Sequence, residues 1–257
     1  MIPIADENPT VRTPWMTMAL LAMMALVWVV VQGAGFDDYT LAASVCNLGL
    51  VPGELTGRAA LGTAVPIGPG LACVVDNSAI NWLTPVISLF LHGGWMHLLG
   101  NALFFWVFGN NVEDVMGRGR FLAFYLLCGV VASASHVAVD PSSPVPTVGA
   151  SGAISGIMGA YLVLFPRVRV RMLFPLFIIF PIIAFPAWAV LIYWFATQLL
   201  SGLPQAFAPN PEIAGGVAVW AHIGGFATGA LLVKVFENPV LVARRRSAFA
   251  AYGVPPG

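Results

Sequence analysis

The stretch Gly149-Ala150-Ser151-Gly152-Ala153-Ile154-Ser155-Gly156-Ile157-Met158-Gly159-Ala160-Tyr161-Leu162-Val163-Leu164-Phe165 carries no charged side chain, and glycine recurs in it at 149, 152, 156 and 159. Small residues at that spacing let helices approach backbone to backbone in lipid, where close packing takes over from the hydrophobic effect. Strand-like alternation is absent. Backbone groups in hydrocarbon must be bonded within their own segment, so the stretch reads as a membrane helix. Comparable apolar runs lie at roughly 15–34, 86–109, 121–139, 185–201 and 217–236, which makes six. The predicted fold is all-α: a polytopic membrane protein built as a bundle of six transmembrane helices.

Composition agrees with this. Of 257 residues, 9% are charged and 59% hydrophobic, against about 25% and 45–50% in soluble domains. Net charge is zero, which gives no electrostatic basis for a nucleic-acid partner; the lipid bilayer is the expected partner of most of the surface. Six spans put both tails and the second and fourth loops on one side. Ten of the eleven basic residues fall there (Arg12, Arg118, Arg120, Arg167, Arg169, Arg171, Lys234, Arg244, Arg245 and Arg246), and only Arg58 falls opposite. The positive-inside rule then places both termini in the cytoplasm and the polar first loop, about 36–84, outside. Residues 1–14 and 240–257 read as cytoplasmic tails around a core at 15–239.

Other stretches add detail. The run from Trp15 to Gln32 is longer than a signal-peptide core and is read as a span that stays. Met172 to Ala184 is apolar but broken by Pro175 and Pro181. Joined to the fifth run it would make about 30 residues, too many for an untilted crossing. It is expected to be a helical or re-entrant piece at the inner face, with Pro186 opening the fifth span where proline costs least. Ser201 to Gly216, rich in Pro, Gly and Ala, reads as a mobile outer connection.

Ionisable side chains at membrane depth are costly and point to function. All four histidines lie in or beside the runs: His92 and His97 in the second, His136 in the third and His222 in the sixth. Ser151 opens the fourth, at a helix start whose free N–H groups suit an oxyanion. Each has a plainer reading, since glycines also serve packing and a buried histidine can bond a carbonyl. Depth links them. The second, fourth and sixth runs all start at the outer face, so His97, Asn101, Ser151 and His222 stand at similar levels. His97 and Asn101, four apart, share a helix face. A nucleophile, a base and two donors are what acyl transfer requires.

Together, Gly149-Ala150-Ser151-Gly152, the series His92, His97 and Asn101, and Ala221-His222 with Gly225 and Gly229 resemble the rhomboid family of intramembrane serine proteases. The likeness covers nearly the whole six-span core, and Gly109 to Gly117 matches the family's GxxxExxxG turn around Glu113. It implies Ser151 as nucleophile and His222 as general base, a Ser–His dyad. His97, Asn101 and the Ser151 N–H would form the oxyanion hole. His92 and Glu113 would be structural, while Ala221, Gly225 and Gly229 would seat the sixth helix on the fourth. It further implies single-span membrane protein substrates, cut near their extracytoplasmic end beside a small side chain, and no cofactor or metal. The expected setting is a bacterial cytoplasmic (inner) membrane. Substrate access is expected past the second and fifth helices, where Pro181 and Pro186 would weaken backbone bonding.

The chain departs from the family pattern twice. Its first loop has no Trp-Arg pair. Position 155, where many members stack an aromatic ring on the histidine, is Ser155, so either another ring, Trp220 or Phe226, holds the imidazole or His222 is held less firmly than in those members. No carboxylate precedes Glu237 in the fourth and sixth runs, so a triad is not expected; Asp76, Asp140 and Glu212 are outer-loop candidates. Cys46 and Cys73 share the outward loop and are either bonded or two free thiols, while Cys128 reads as packing. Arg244-Arg245-Arg246 reads as a topology anchor or a lipid-binding triplet at the inner leaflet. Rival functions are a catalytically silent rhomboid-like client-binding protein, against which both dyad residues speak, and a small transporter, for which no internal repeat is present. The sequence does not indicate the oligomeric state.

Overall fold

The computed structural model describes residues 1–76, 79–176, 178–207 and 218–251 and is mostly helical. Each apolar run holds a helix: α1 Trp15–Val30, α5 Trp95–Met116, α6 Arg118–Val139, α7 Ser151–Leu164, α8 Ala187–Phe207 and α9 Val219–Phe236. Between α1 and α5 stand the short helices α2 Asp38–Leu48, α3 Pro52–Leu55 and α4 Thr84–Ile87, with the strands β2 Ala64–Gly68 and β3 Leu71–Val74. Among the described residues α6 and α9 are long and apolar enough to cross a membrane alone, and α1, α7 and α8 are shorter apolar helices. The second run starts later than expected. Gly93-Gly94 separates the helix from a 3-10 turn at Ser88–Phe90, which leaves His92 in the connection and off α5.

The all-α expectation fails at three places. Strands β1 Ile2–Asp6, β4 Arg169–Leu173 and β5 Ile182–Pro186 form an antiparallel sheet in the order β1-β4-β5, and β2 pairs with β3. Where a helical or re-entrant piece was expected at Met172–Ala184, the described residues belong to a β-hairpin. Proline removes a helical donor and clashes with the preceding turn, while isoleucine and phenylalanine suit a pleated surface. The strand signal lies just upstream: Val168, Val170 and Met172 are buried while Arg167, Arg169 and Arg171 between them are exposed, a period of two. Pro181 and Pro186 accordingly belong to the hairpin and loosen no helix.

The segments that flank the bundle, residues 8–17 and Pro239–Ala251, are docked on it. Glu113 accepts hydrogen bonds from the N–H groups of Met16 (3.0 Å) and Thr17 (2.7 Å) and from the Thr17 hydroxyl (2.8 Å), supplying the acceptors that the first turn of α1 lacks. Asp114 accepts from the backbone of Val11 and Arg12 and pairs with Arg12 and Arg245. Residues Pro239–Ala251 form a further helix, α10. Its Arg245 is buried, donating also to Asn8 and Asn111. The basic triplet is thus not a single surface anchor, since only Arg244 and Arg246 face outward.

In the first loop Cys46 and Cys73 are joined by a disulfide that ties α2 to β3, and Cys128 is a buried free thiol. The loop from Ser201 to Gly216 lies mostly outside the described residues, and α8 occupies its start.

What positions the site is the contact of α7 with α9. A Cβ at Gly225 would collide with the carbonyl oxygen of Gly152, one at Gly229 with that of Gly156, and one at Gly159 with that of Phe226. Glycine on both helices lets the backbones touch through three successive turns.

Candidate active site

That contact brings the first residue of α7 to the first turn of α9. His222 Nε2 lies 2.8 Å from Ser151 Oγ, and His222 is 7% exposed. Its other nitrogen, Nδ1, is 2.8 Å from Oε1 of Gln198 on α8. With the amide oxygen accepting, Nδ1 carries the proton and Nε2 is free to accept from the serine hydroxyl. Neither Trp220 nor Phe226 is the ring beside the histidine. Trp194 is, with ring centres 5.7 Å apart, and Phe226 packs on Trp194 and Phe195. Phe226 stands one turn below His222 and turns toward α8, so it supports the tryptophan that supports the imidazole. Ser155 Oγ bonds back to the Ser151 carbonyl at 2.6 Å.

His97 and Asn101 meet the same spot from α5. A Cβ on Gly149 would come within 2.6 Å of His97 Nε2 and 3.6 Å of Asn101 Nδ2, so both side chains lie against the backbone just ahead of Ser151. Gly149 has φ +124°, a left-handed value that favours glycine. Its N–H bonds the Ser88 carbonyl at 2.9 Å. The Gly93 N–H donates to His97 Nδ1 at 3.2 Å, which leaves Nε2 as the protonated, donating nitrogen. Nδ2 of Asn101 is buried with no hydrogen-bond partner among the described residues, a donor that costs stability until an acceptor arrives. The first N–H groups of α7, which begins at Ser151, have no acceptor within the helix.

His92 is held apart from the cluster. The Gln32 side chain clamps its backbone, donating to the carbonyl and accepting from the N–H, both at 2.8 Å. Its ring meets His97 edge to face with centres 5.2 Å apart. The fourth histidine, His136, contacts Thr147 Oγ1 at 3.0 Å. Ser151, His97, Asn101, His136, Trp194 and His222 all line one cavity of about 620 Å³. No group of three metal-ligating side chains occurs among the described residues. Neither Asp76 nor Asp140 lines this cavity, and Glu212 lies outside the described residues.

Sequence reasoning missed Gln198, Trp194 and Gln32. Gln198 had a signal, since it is the lone amide in the fifth apolar run. Gln32 likewise closes the first run. Trp194 is one of eight tryptophans, with nothing local to single it out.

The site is thus a serine hydroxyl against an imidazole, at one cavity of a bundle of apolar helices that glycines bring together. The Rhomboid domain model matches residues 79–238, more than half of the chain, and the chain belongs to the rhomboid family, whose members are membrane-embedded and mostly serine proteases. It is 46% identical over 80 residues to "Rhomboid protease GluP" of Bacillus subtilis (strain 168), covering 31% of this chain and 15% of that protein. It is 36% identical over 81 residues to "Putative rhomboid protease YdcA" of the same organism, 32% of this chain and 40% of that one. With "Presenilin-associated rhomboid-like protein A, mitochondrial" of Danio rerio it shares 29% identity over 155 residues, 57% of this chain and 36% of that one. The matches thus span less than half the length of each of these relatives.

Proposed function

We propose that this chain is an intramembrane serine endopeptidase that cleaves single-span membrane proteins near their extracytoplasmic end, with six spans and both termini in the cytoplasm. The reading is carried by the 2.8 Å contact of Ser151 Oγ with His222 Nε2. The Ser151 hydroxyl attacks a carbonyl carbon of the substrate while its proton passes to Nε2 of His222. The charge that develops on the carbonyl oxygen is met by His97 Nε2–H, Asn101 Nδ2–H and the Ser151 N–H. The intermediate collapses, the C–N bond breaks, and His222 gives its proton to the departing amine. Water, deprotonated by the same imidazole, then hydrolyses the Ser151 ester. Gln198 holds Nδ1–H throughout but, being neutral, adds less than a carboxylate would to the charged imidazole.

A serine-directed fluorophosphonate tests this reading against a silent client-binding protein of the same family. The purified chain should be labelled at Ser151, with labelling lost in Ser151→Ala and strongly reduced in His222→Ala. Equal labelling of wild type and Ser151→Ala would overturn it.

A further inference from the structure

From Phe174 to Ile183, between β4 and the start of β5, the sequence has no polar side chain. Ile178 is 91% exposed, and Leu176, Ile179 and Phe180 are each at least half exposed. In water such a patch would promote aggregation. The hairpin stands beside the bundle, however, and not below it. Asp6 of β1 accepts from Asn111 of α5 at 2.9 Å. Met172 and Phe185 share an apolar cavity of about 270 Å³ with Phe104, Phe108, Met158 and Trp194. These four belong to middle turns of α5, α7 and α8, so the strands reach the level of the lipid-embedded helices.

The sheet's outer face has a different chemistry. Arg169 and Arg171 are exposed there, cross-strand from Pro186 and Ala184. Among the described residues neither guanidinium has a hydrogen-bonding or acidic partner. β5 is an edge strand, and Pro181 and Pro186 at its ends lack N–H groups, which limits the unbonded donors turned to hydrocarbon.

We propose that this hairpin is an interfacial anchor for anionic phospholipid, its apolar tip among the acyl chains and Arg169 and Arg171 on the headgroup phosphates. Charge decides between lipid and a second copy of the chain, because self-association through this face would set like-charged arginines together. The proposal rests on the membrane embedding of the family and is independent of the catalytic reading.

Ile178→Cys adds a single reachable thiol, since Cys46 and Cys73 are bonded to each other and Cys128 is buried. Labelled with an environment-sensitive fluorophore and reconstituted as the full chain in vesicles, it should be quenched by nitroxide placed on the acyl chains and be protected from aqueous iodide. Quenching by iodide would overturn the placement, as would an intermolecular disulfide at 178 on mild oxidation, which would assign the face to a second copy. In native mass spectrometry of the detergent-purified chain, phosphatidylglycerol should bind in preference to phosphatidylcholine. Arg169→Gln and Arg171→Gln should each weaken that binding about fivefold, with unchanged thermal stability as the folding control. Equal binding by the variants, or displacement of the lipid by inorganic phosphate at matched concentration, would remove the headgroup role. Failure of Ser151 to react with a fluorophosphonate would alter neither readout.

Discussion

Gln198 Oε1 lies 2.8 Å from Nδ1 of His222, where a triad protease would place a carboxylate. An amide fixes the tautomer as a carboxylate does, but carries no charge to balance the imidazolium. A neutral hydrogen bond contributes about 1 kcal/mol, so Gln198→Ala should lower kcat about fivefold to tenfold with KM nearly unchanged, measured on a membrane-spanning reporter. An unaltered kcat would show that Trp194 alone orients the ring.

Removal of an oxyanion donor should cost more than removal of Gln198. Asn101→Ala and His97→Ala should each reduce kcat by about 10²–10³, which is about 2.7–4 kcal/mol of barrier. Because buried Nδ2 of Asn101 has no partner among the described residues, Asn101→Ala should leave thermal stability unchanged or slightly raised. A large fall in stability with normal kcat would make Asn101 a structural residue.

The glycine seam predicts a contrast. A side chain at Gly229 would collide with the Gly156 carbonyl, whereas Gly119 has open space around it. Gly229→Val should destabilise by about 3 kcal/mol or more and separate Ser151 from His222. Gly119→Ala should be neutral or stabilising by roughly 0.5–1 kcal/mol through helix propensity. Thermal midpoints in detergent, with probe labelling, read both.

Asp6 supplies a pH dependence outside the spans. Burial pushes its carboxyl up to about 6 from 3.8, against the opposing pull of the Tyr161 hydroxyl and the Arg245 charge. Since the folded value exceeds the unfolded one, the group's stabilising contribution is full below pH 4 and is lost as pH rises through 6. Asp6→Asn should therefore be more stable than wild type at pH 7.5, by up to about 2 kcal/mol, and the two should converge near pH 4. Parallel unfolding curves across that range would contradict the assignment.

The helices were legible because lipid imposes long apolar runs, and the serine and histidines stood out because polar chemistry is costly there. The hairpin was not, since an apolar stretch broken by prolines fits several backbones, and only the alternation from Arg167 to Met172 pointed to strand. The pairing of β1 with β4 joins residues far apart in the chain, and no local pattern reports it. Glu113 was legible through its motif, whereas Asp114 beside it, which gathers Arg12 and Arg245, was not. Its partners lie at opposite ends of the sequence. The imidazole's neighbours Gln198 and Trp194 come from α8, outside the two helices that carry the dyad, and of the two only Gln198 had a signal of its own, as the lone amide of the fifth apolar run.

The most direct measurement is cleavage of a single-span reporter by the reconstituted chain. Wild type should release a fragment cut near the reporter's extracytoplasmic end, and Ser151→Ala and His222→Ala, shown to be folded by unchanged thermal midpoints, should release none. Cleavage that persists in either variant, or none by a folded wild type across a panel of reporters, would contradict the account.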